Sequence, residues 1–447
     1  MLSKIILFSL PLVATAVLQL LFNTADAVVV GRWGGKTPQE CEVALAAVGS
    51  CGALTNLIVN LFMGLSIGAG VCVAHAIGAK QYEDVSRVVH TAVLASLFGG
   101  AVVTAIGIGM APTFLLWMKT DPAVLEEAVP YMRAYFCGMP ASMLYNYCAS
   151  MLRSSGDTVR PLAFLSAGGI VNVGLNLIMV IVFEAGALGV GVATAASQWV
   201  SCILVVIFMM RTSGPCRLEW KRLKIDFGKL RKIVTIGLPA GIQGALFSVS
   251  NVLIQSAINS FSPVVVAGNT AASNLDGYIY ATQNAVSQSA LTFVGQNWGA
   301  GKTDRVRKSV FYCSATVAVT GLLVGLLMVG FGKPLLGLFA PESPAAVEAG
   351  MVRLTVLGCT YFLCGLMEVA SGAMRGLGKS VTPMFVSLIG SCALRIVWIY
   401  TIFALSPTLM TLYLSYPITW VLTALVHYIC FFFTYRALTR RSLAAVI

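Results

Sequence analysis

The chain has 447 residues, of which 58% are hydrophobic and only 10% are Asp, Glu, Lys or Arg; a soluble domain carries about 25% charged residues. Too few polar residues remain to cover the surfaces of two or three soluble domains, so lipid is the solvent over most of its area. The net charge of +12 does not point to a nucleic-acid partner, because the cations gather on one side of the predicted spans.

A spanning helix needs about 20 apolar residues, and twelve stretches qualify. The first, 5–31, leads into Ala25-Asp26-Ala27, which is similar to a signal-peptide cleavage site. Its apolar run from Ile5 to Phe22 is longer than a signal peptide's, and the same pattern recurs in mid-chain, so it reads as a span. The next spans are 44–75, with close-packing glycines Gly64, Gly68 and Gly70, then 88–110, 130–151, 161–183 and 188–210. A basic stretch, 211–232, follows and reads as a topology anchor facing anionic lipid. The second set is 233–260, 264–297, 310–332, 352–373, 383–404 and 409–435. With both termini in the cytoplasm, only Arg32, Lys36, Lys119 and Lys333 fall in outer loops, and most other Lys and Arg lie in cytoplasmic segments. That is a strong positive-inside bias, and it predicts a multi-pass protein of the cytoplasmic (inner) membrane.

The two sets of spans repeat one another. Leu10-Pro11 matches Leu238-Pro239, Asn23 matches Asn251, and Gly78-Ala79 matches Gly299-Ala300. Pro112 and Pro122 match Pro334 and Pro344, and the run Arg153 to Gly156 to Pro161 matches Arg375 to Gly378 to Pro383. Six spans per copy bring each half back to the face it entered from. The expected fold is therefore an all-α membrane protein of twelve helices, in two six-helix lobes related by a pseudo-twofold axis along the membrane normal. The expected parts are an N-terminal lobe, 1–210, the linker, 211–232, and a C-terminal lobe, 233–447.

Ionisable groups inside spans are costly, so each is a candidate functional site. In the first lobe this is Asp26, read as a buried carboxylate that binds a proton or a sodium ion; the matching residue of the second lobe is Ile254. Asn172 and Asn176 share one helix face at i, i+4 spacing, as helix–helix contacts or as oxygen donors to a cation. In the second lobe Asp276 and Glu368 are candidates to pair with Arg395 or with each other through a shared proton, as a polar site or as a structural network, and His427 is a further buried base. Pro11 and Pro239 permit kinks that could serve gating. Phe22, Tyr145, Tyr278, Tyr280, Tyr361 and Trp398 either line an apolar cleft or pack. The 12 cysteines are scattered without a CxxC, which argues against a metal or a disulfide framework. No nucleotide-binding or hydrolase signature is present, so an ion gradient rather than ATP would drive a transporter of this kind, and neither an enzymatic role nor a cofactor is expected.

The chain resembles the multidrug and toxic compound extrusion (MATE) transporters from end to end, with some similarity to the DinF-like branch. The segments that carry the resemblance are Leu10-Pro11 through Asn23-Thr-Ala-Asp26 to Gly31-Arg32, the Gly78-Ala79 turn, Ala272 to Gly277, Val294 to Lys302 and Gly372 to Ser380. The resemblance implies export of amphipathic, often cationic small molecules in exchange for inward H+ or Na+, by a monomer in the bilayer. It also implies a first-lobe cation site of Asp26, Asn172 and Thr194. Asn176 stands where many members have a second aspartate, which leaves one carboxylate at that site. An acidic second-lobe site used by another branch lacks its seventh-span member here, and Glu368 is about one turn from its tenth-span position. The alternatives are a lipid-linked oligosaccharide flippase of the same superfamily, which would need several cavity cations, and a channel or non-transporting receptor.

Overall fold

Helices α1 (Leu2–Trp33), α2 (Pro38–Gly78) and α3 (Tyr82–Trp117) open the computed structural model, which describes residues 1–339 and 343–444. The last residues of the expected C-terminal lobe, 445–447, lie outside the described residues. Then come α4 (Pro122–Cys137), α5 (Met139–Ser155), α6 (Val159–Leu177) and α7 (Gly186–Arg211). The second half holds α8 (Phe227–Ile258), α9 (Pro263–Gly299), α10 (Thr303–Gly330), α11 (Gly332–Phe339) and α12 (Pro344–Gly376). It closes with α13 (Val381–Ser387), α14 (Leu394–Trp398) and α15 (Leu409–Ala444). π-turns extend α6 through Ile178–Val182, join α13 to α14 through Leu388–Ala393, and continue α14 through Ile399–Phe403.

Among the described residues, 10 helical stretches are long and apolar enough to span a bilayer. Two other predicted spans differ for clear reasons. The one expected at 130–151 is broken at Gly138 into α4 and α5. The one expected at 264–297 is a single helix, α9, but it carries Asn269, Asp276, Gln283 and Ser287 on its buried face. Many large apolar side chains point outward: Leu7, Phe98, Ile170 and Leu338 are each more than 70% exposed. In water each would cost roughly 25 cal/mol per Å² of apolar surface; in lipid it costs nothing.

The repeat is built from helix starts and stops. Pro122 and Pro344 occupy the first turns of α4 and α12, where a missing N–H is harmless, and each follows a side chain that caps the helix. Asp121 accepts from Ala123 N at 2.8 Å, and Ser343 from Ala346 N at 3.3 Å. Gly156 and Gly378 both take the left-handed conformation, at φ 106° and 79°. Both halves therefore leave the helix after Arg153 or Arg375 by the same glycine turn. The fifth span of each half also carries a π-turn.

Packing divides the chain into two compact units, Val17–Leu238, and Met1–Ala16 with Pro239–Ile447. Their boundaries lie within α1 and α8, whose first halves each pack into the unit opposite to the rest of the helix in sequence. In the second unit Ile5 joins the cluster of Val286, Ala290 and Cys313, and Ser9 hydrogen-bonds Ser289 at 2.7 Å. In the first, Gly237 of α8 lies so close to α2 that an added Cβ would sit 2.6 Å from Leu65 Cα. Gly70 of α2 faces Ser150 and Ser154 of α5 in the same close manner, as the glycine pattern of the second span predicts.

Linker residues are pinned to α3. His90 Nε2 accepts from Glu219 N at 3.0 Å, Thr91 Oγ1 accepts from Asp226 N at 3.0 Å, and Lys229 pairs with Asp84 at 2.7 Å.

Candidate functional site

In the first unit α1, α5, α6 and α7 surround a cavity of about 150 Å³. Gln19, Phe22, Asn23 and Asp26 of α1 form one wall. The spacing Phe22–Asp26 is one helical turn, which stacks both on the same face. Asn172 of α6 and Thr194 of α7 face them, and Tyr145 of α5, its hydroxyl donating to Pro161 O at 2.8 Å, closes the side. Gly168 and Gly169 let α6 approach, since an added Cβ on Gly169 would overlap the Phe22 ring and one on Gly168 would overlap Ser201 Oγ. The four residues expected at a cation site thus come together from three helices.

Their hydrogen bonds form a short relay. Asn176 Nδ2 donates to Asp26 Oδ1 and, at 3.5 Å, lies near Asn172 Oδ1; Asn172 Nδ2 reaches Thr194 Oγ1, also at 3.5 Å. Asn172 and Asn176 are buried, and Asn176 Oδ1 has no partner. An unpaired buried carbonyl is costly, so Asn176 holds an acceptor in reserve beside the carboxylate. Asp26 has no cationic partner in the ion pairs of the described residues. Ile254, its match in the repeat, is packed in the apolar core of the second unit.

The second unit arranges its charges differently from the expectation. Asp276 pairs with Arg353 rather than with Arg395, through Arg353 Nε to Asp276 Oδ2 at 2.8 Å. Arg353 sits about two turns inside α12, and its Nη1 also donates to Asn269 Oδ1 at 2.7 Å. Asn269 further accepts from Tyr413 at 3.2 Å and donates to Gln255 at 3.1 Å. Arg395 lies over the Tyr416 ring at 4.2 Å, and its Nε donates to Thr419 Oγ1 at 3.2 Å. Glu368 is buried on α12, two turns before Arg375 on the same helix, and makes no ion pair among the described residues. Arg375 Nη2 donates to Gln243 Oε1, Gln243 to Ser387, and Ser387 meets His427 Nε2, at 2.9, 2.9 and 3.1 Å. His427 is therefore a bonded packing residue joining α15 to α13. Arg353 is the residue that the sequence leaves unassigned; its nine-residue distance from Pro344, which starts α12, is the signal for its depth.

Among the described residues no cluster of His, Cys, Asp and Glu could hold a metal ion. Asp26 with the Asn172, Asn176 and Thr194 oxygens offers one charge and a few neutral donors, which suits a proton or a monovalent cation.

The MatE family matches residues 11–178 and 239–401 of the chain, one match per repeat. A probable multidrug resistance protein, YoeA, of Bacillus subtilis is 25% identical over 389 residues, which cover 86% of this chain and 82% of that protein. An FAD transporter of Shewanella oneidensis is 23% identical, over 82% of this chain and 80% of its own length. A crystal structure of a MATE transporter in complex with MaL6 superimposes with a TM-score of 0.91 at 20% identity, over 98% of this chain and 97% of that one. A paired family match on both repeats, relatives aligned over most of their length and an all-helical fold shared almost end to end agree: this chain belongs to the MatE family of multi-pass membrane transporters.

Proposed function

We propose that the protein exports amphipathic, commonly cationic small molecules from the cytoplasm in exchange for inward-moving protons or sodium ions, with Asp26 as the coupling carboxylate. The observation that carries this reading is the Asp26 carboxylate, which has no cationic partner among the ion pairs of the described residues, lies in the wall of a cavity between helices and accepts from Asn176. When Asp26 is charged, the Asn176 amide satisfies it by donating an N–H. When a proton or cation binds, a half-turn of that amide presents the now unpartnered Oδ1 to the ion or O–H. Neutralisation thus changes what α1 bonds to on α6, and Pro11, which frees a backbone carbonyl in α1, lets the helix bend in response.

Ion binding drives transport only if the ion prefers one conformation. We place that preference in the Asp26–Asn176 bond and assign alternating access to it. Both termini face the cytoplasm, the protein sits in the inner membrane, and it works as a monomer. The test is ethidium efflux from inverted vesicles with pH and sodium gradients imposed separately. Wild type is expected to respond to one of them and Asp26→Asn to neither; gradient-driven export by Asp26→Asn would refute the assignment.

The relative named an FAD transporter sets a second reading, an anionic aromatic cargo. The observation that favours it is the surplus of buried arginines over buried carboxylates in the second unit, where Arg353, Arg375 and Arg395 face Asp276 and Glu368.

A further inference from the structure

Arg395 is 4% exposed, and a guanidinium keeps its charge in any protein environment. Asp276 is committed to Arg353, and among the described residues Arg395 makes no ion pair with any carboxylate. Among the described residues the guanidinium of Arg395 makes one hydrogen bond, from Nε to Thr419, and none from its two terminal nitrogens. Its other neighbours are ring faces, Tyr416 at 4.2 Å and Trp420 at 5.9 Å, with Arg353 at 5.9 Å from the same Tyr416 ring. Ring faces attract a cation but leave its N–H donors unfilled. A second guanidinium beside the same ring adds repulsion. A buried charge without a counter-charge is among the most costly features a membrane span can carry.

We propose that the terminal nitrogens of Arg395 form a subsite for the anionic group, carboxylate or phosphate, of an aromatic cargo. The planar fork of Arg395 matches such a group bidentately. Tyr361, Tyr416 and Trp420, whose rings pack at 5.0 and 5.5 Å and which are 9, 7 and 4% exposed, supply an aromatic wall. Thr419 fixes the guanidinium through Nε, which leaves the outer two nitrogens presented together. The subsite rests on the anionic-cargo reading and is independent of coupling at Asp26.

The test uses the full chain in nanodiscs of neutral phosphatidylcholine, titrated with two dansyl probes that differ only in charge, dansylglycine and dansylglycinamide. Wild type is expected to bind the carboxylate probe about tenfold tighter than the amide, the worth of a charge-assisted bond. Arg395→Gln is expected to erase that preference and leave amide binding unchanged. Arg395→Lys, which keeps the charge but not the fork, is expected to retain a reduced preference, and it decides the matter if Arg395→Gln does not fold. Asp26→Asn is expected to keep the full preference, so failure of the coupling assignment and failure of the subsite are read separately. Phosphatidylglycerol in the nanodisc is expected to leave dansylglycine affinity unchanged; competition by that lipid would make the anion a headgroup and overturn the cargo assignment. An equal affinity of wild type for the two probes, or a preference that survives Arg395→Gln, would also overturn it.

Discussion

Arg353→Met removes one partner of a buried ion pair and leaves Asp276 without a donor on either oxygen, since its Oδ1 is already unpartnered. The side chains are 9% and 3% exposed, so water cannot take over the lost bond. Breaking such a pair costs about 3–5 kcal/mol. A carboxylate of ordinary acidity can escape by taking a proton, which at pH 7 costs about 4 kcal/mol and caps the penalty near that value. The loss should therefore shrink at lower pH, by about 1.4 kcal/mol per unit, as protonation becomes easier. Asn269 loses its bond from Arg353 but keeps the Tyr413 hydroxyl, so it adds little. Adding Asp276→Asn to the Met variant removes the bare charge and should restore most of the stability. The assay is equilibrium unfolding in detergent at pH 7 and pH 5, with both single variants and the double. Additive single effects, or a loss under about 1 kcal/mol, would show that the pair is not the buried counter-charge described here.

Asn176→Asp places a second carboxylate beside Asp26, and sodium-driven ethidium efflux should then rise relative to proton-driven efflux. Gly268→Ala drives a methyl into the backbone of α12 at Ala346 and Gly350, where neither neighbour can yield as a side chain would; it should lower stability by about 1–3 kcal/mol, measured as a melting shift. Asp226 accepts from the backbone N–H of Lys229 at 3.0 Å, chiefly for which its carboxyl is held below the usual range. A depressed folded value contributes stability above the unfolded value and loses it as pH falls through the folded one. Asp226→Ala should therefore be less stable than wild type at neutral pH, and the gap should close on acidification below the ordinary aspartate range, read by melting at stepped pH.

The sequence made the scaffold readable because its constraints are local. Pro122 and Pro344 are tolerated where a helix starts, and Gly156 and Gly378 where the backbone turns left-handed, so each repeats wherever the geometry repeats. The first-unit cavity was also within reach, since Asp26 and the Asn172–Asn176 pair each announce a buried polar face, and the family pattern supplied Thr194. Partners across the second unit were not. The sequence reading matches Asp276 with Arg395, and only the packing of α9 on α12 shows that Arg353 is its partner. The break at Gly138 escaped for a similar reason, because hydropathy is continuous through it and the backbone is not.

The duplication also explains why charge was free to diverge between the halves. Caps, turns and glycine contacts hold each copy to the shared fold, whereas a side chain facing a cavity has no such duty. In the first unit that freedom yields a carboxylate with an amide for a neighbour, Asp26 beside Asn176, which an arriving cation can change. In the second unit Ile254 fills the equivalent place, and of the two buried acids there, Asp276 and Glu368, the former is bound by the chain's own cation. A tethered guanidinium does to Asp276 what a mobile ion would do to Asp26, but permanently. On the proposed reading coupling is carried by Asp26, and Arg395, which makes no ion pair among the described residues, is the cation that would meet a negative charge brought from outside the chain.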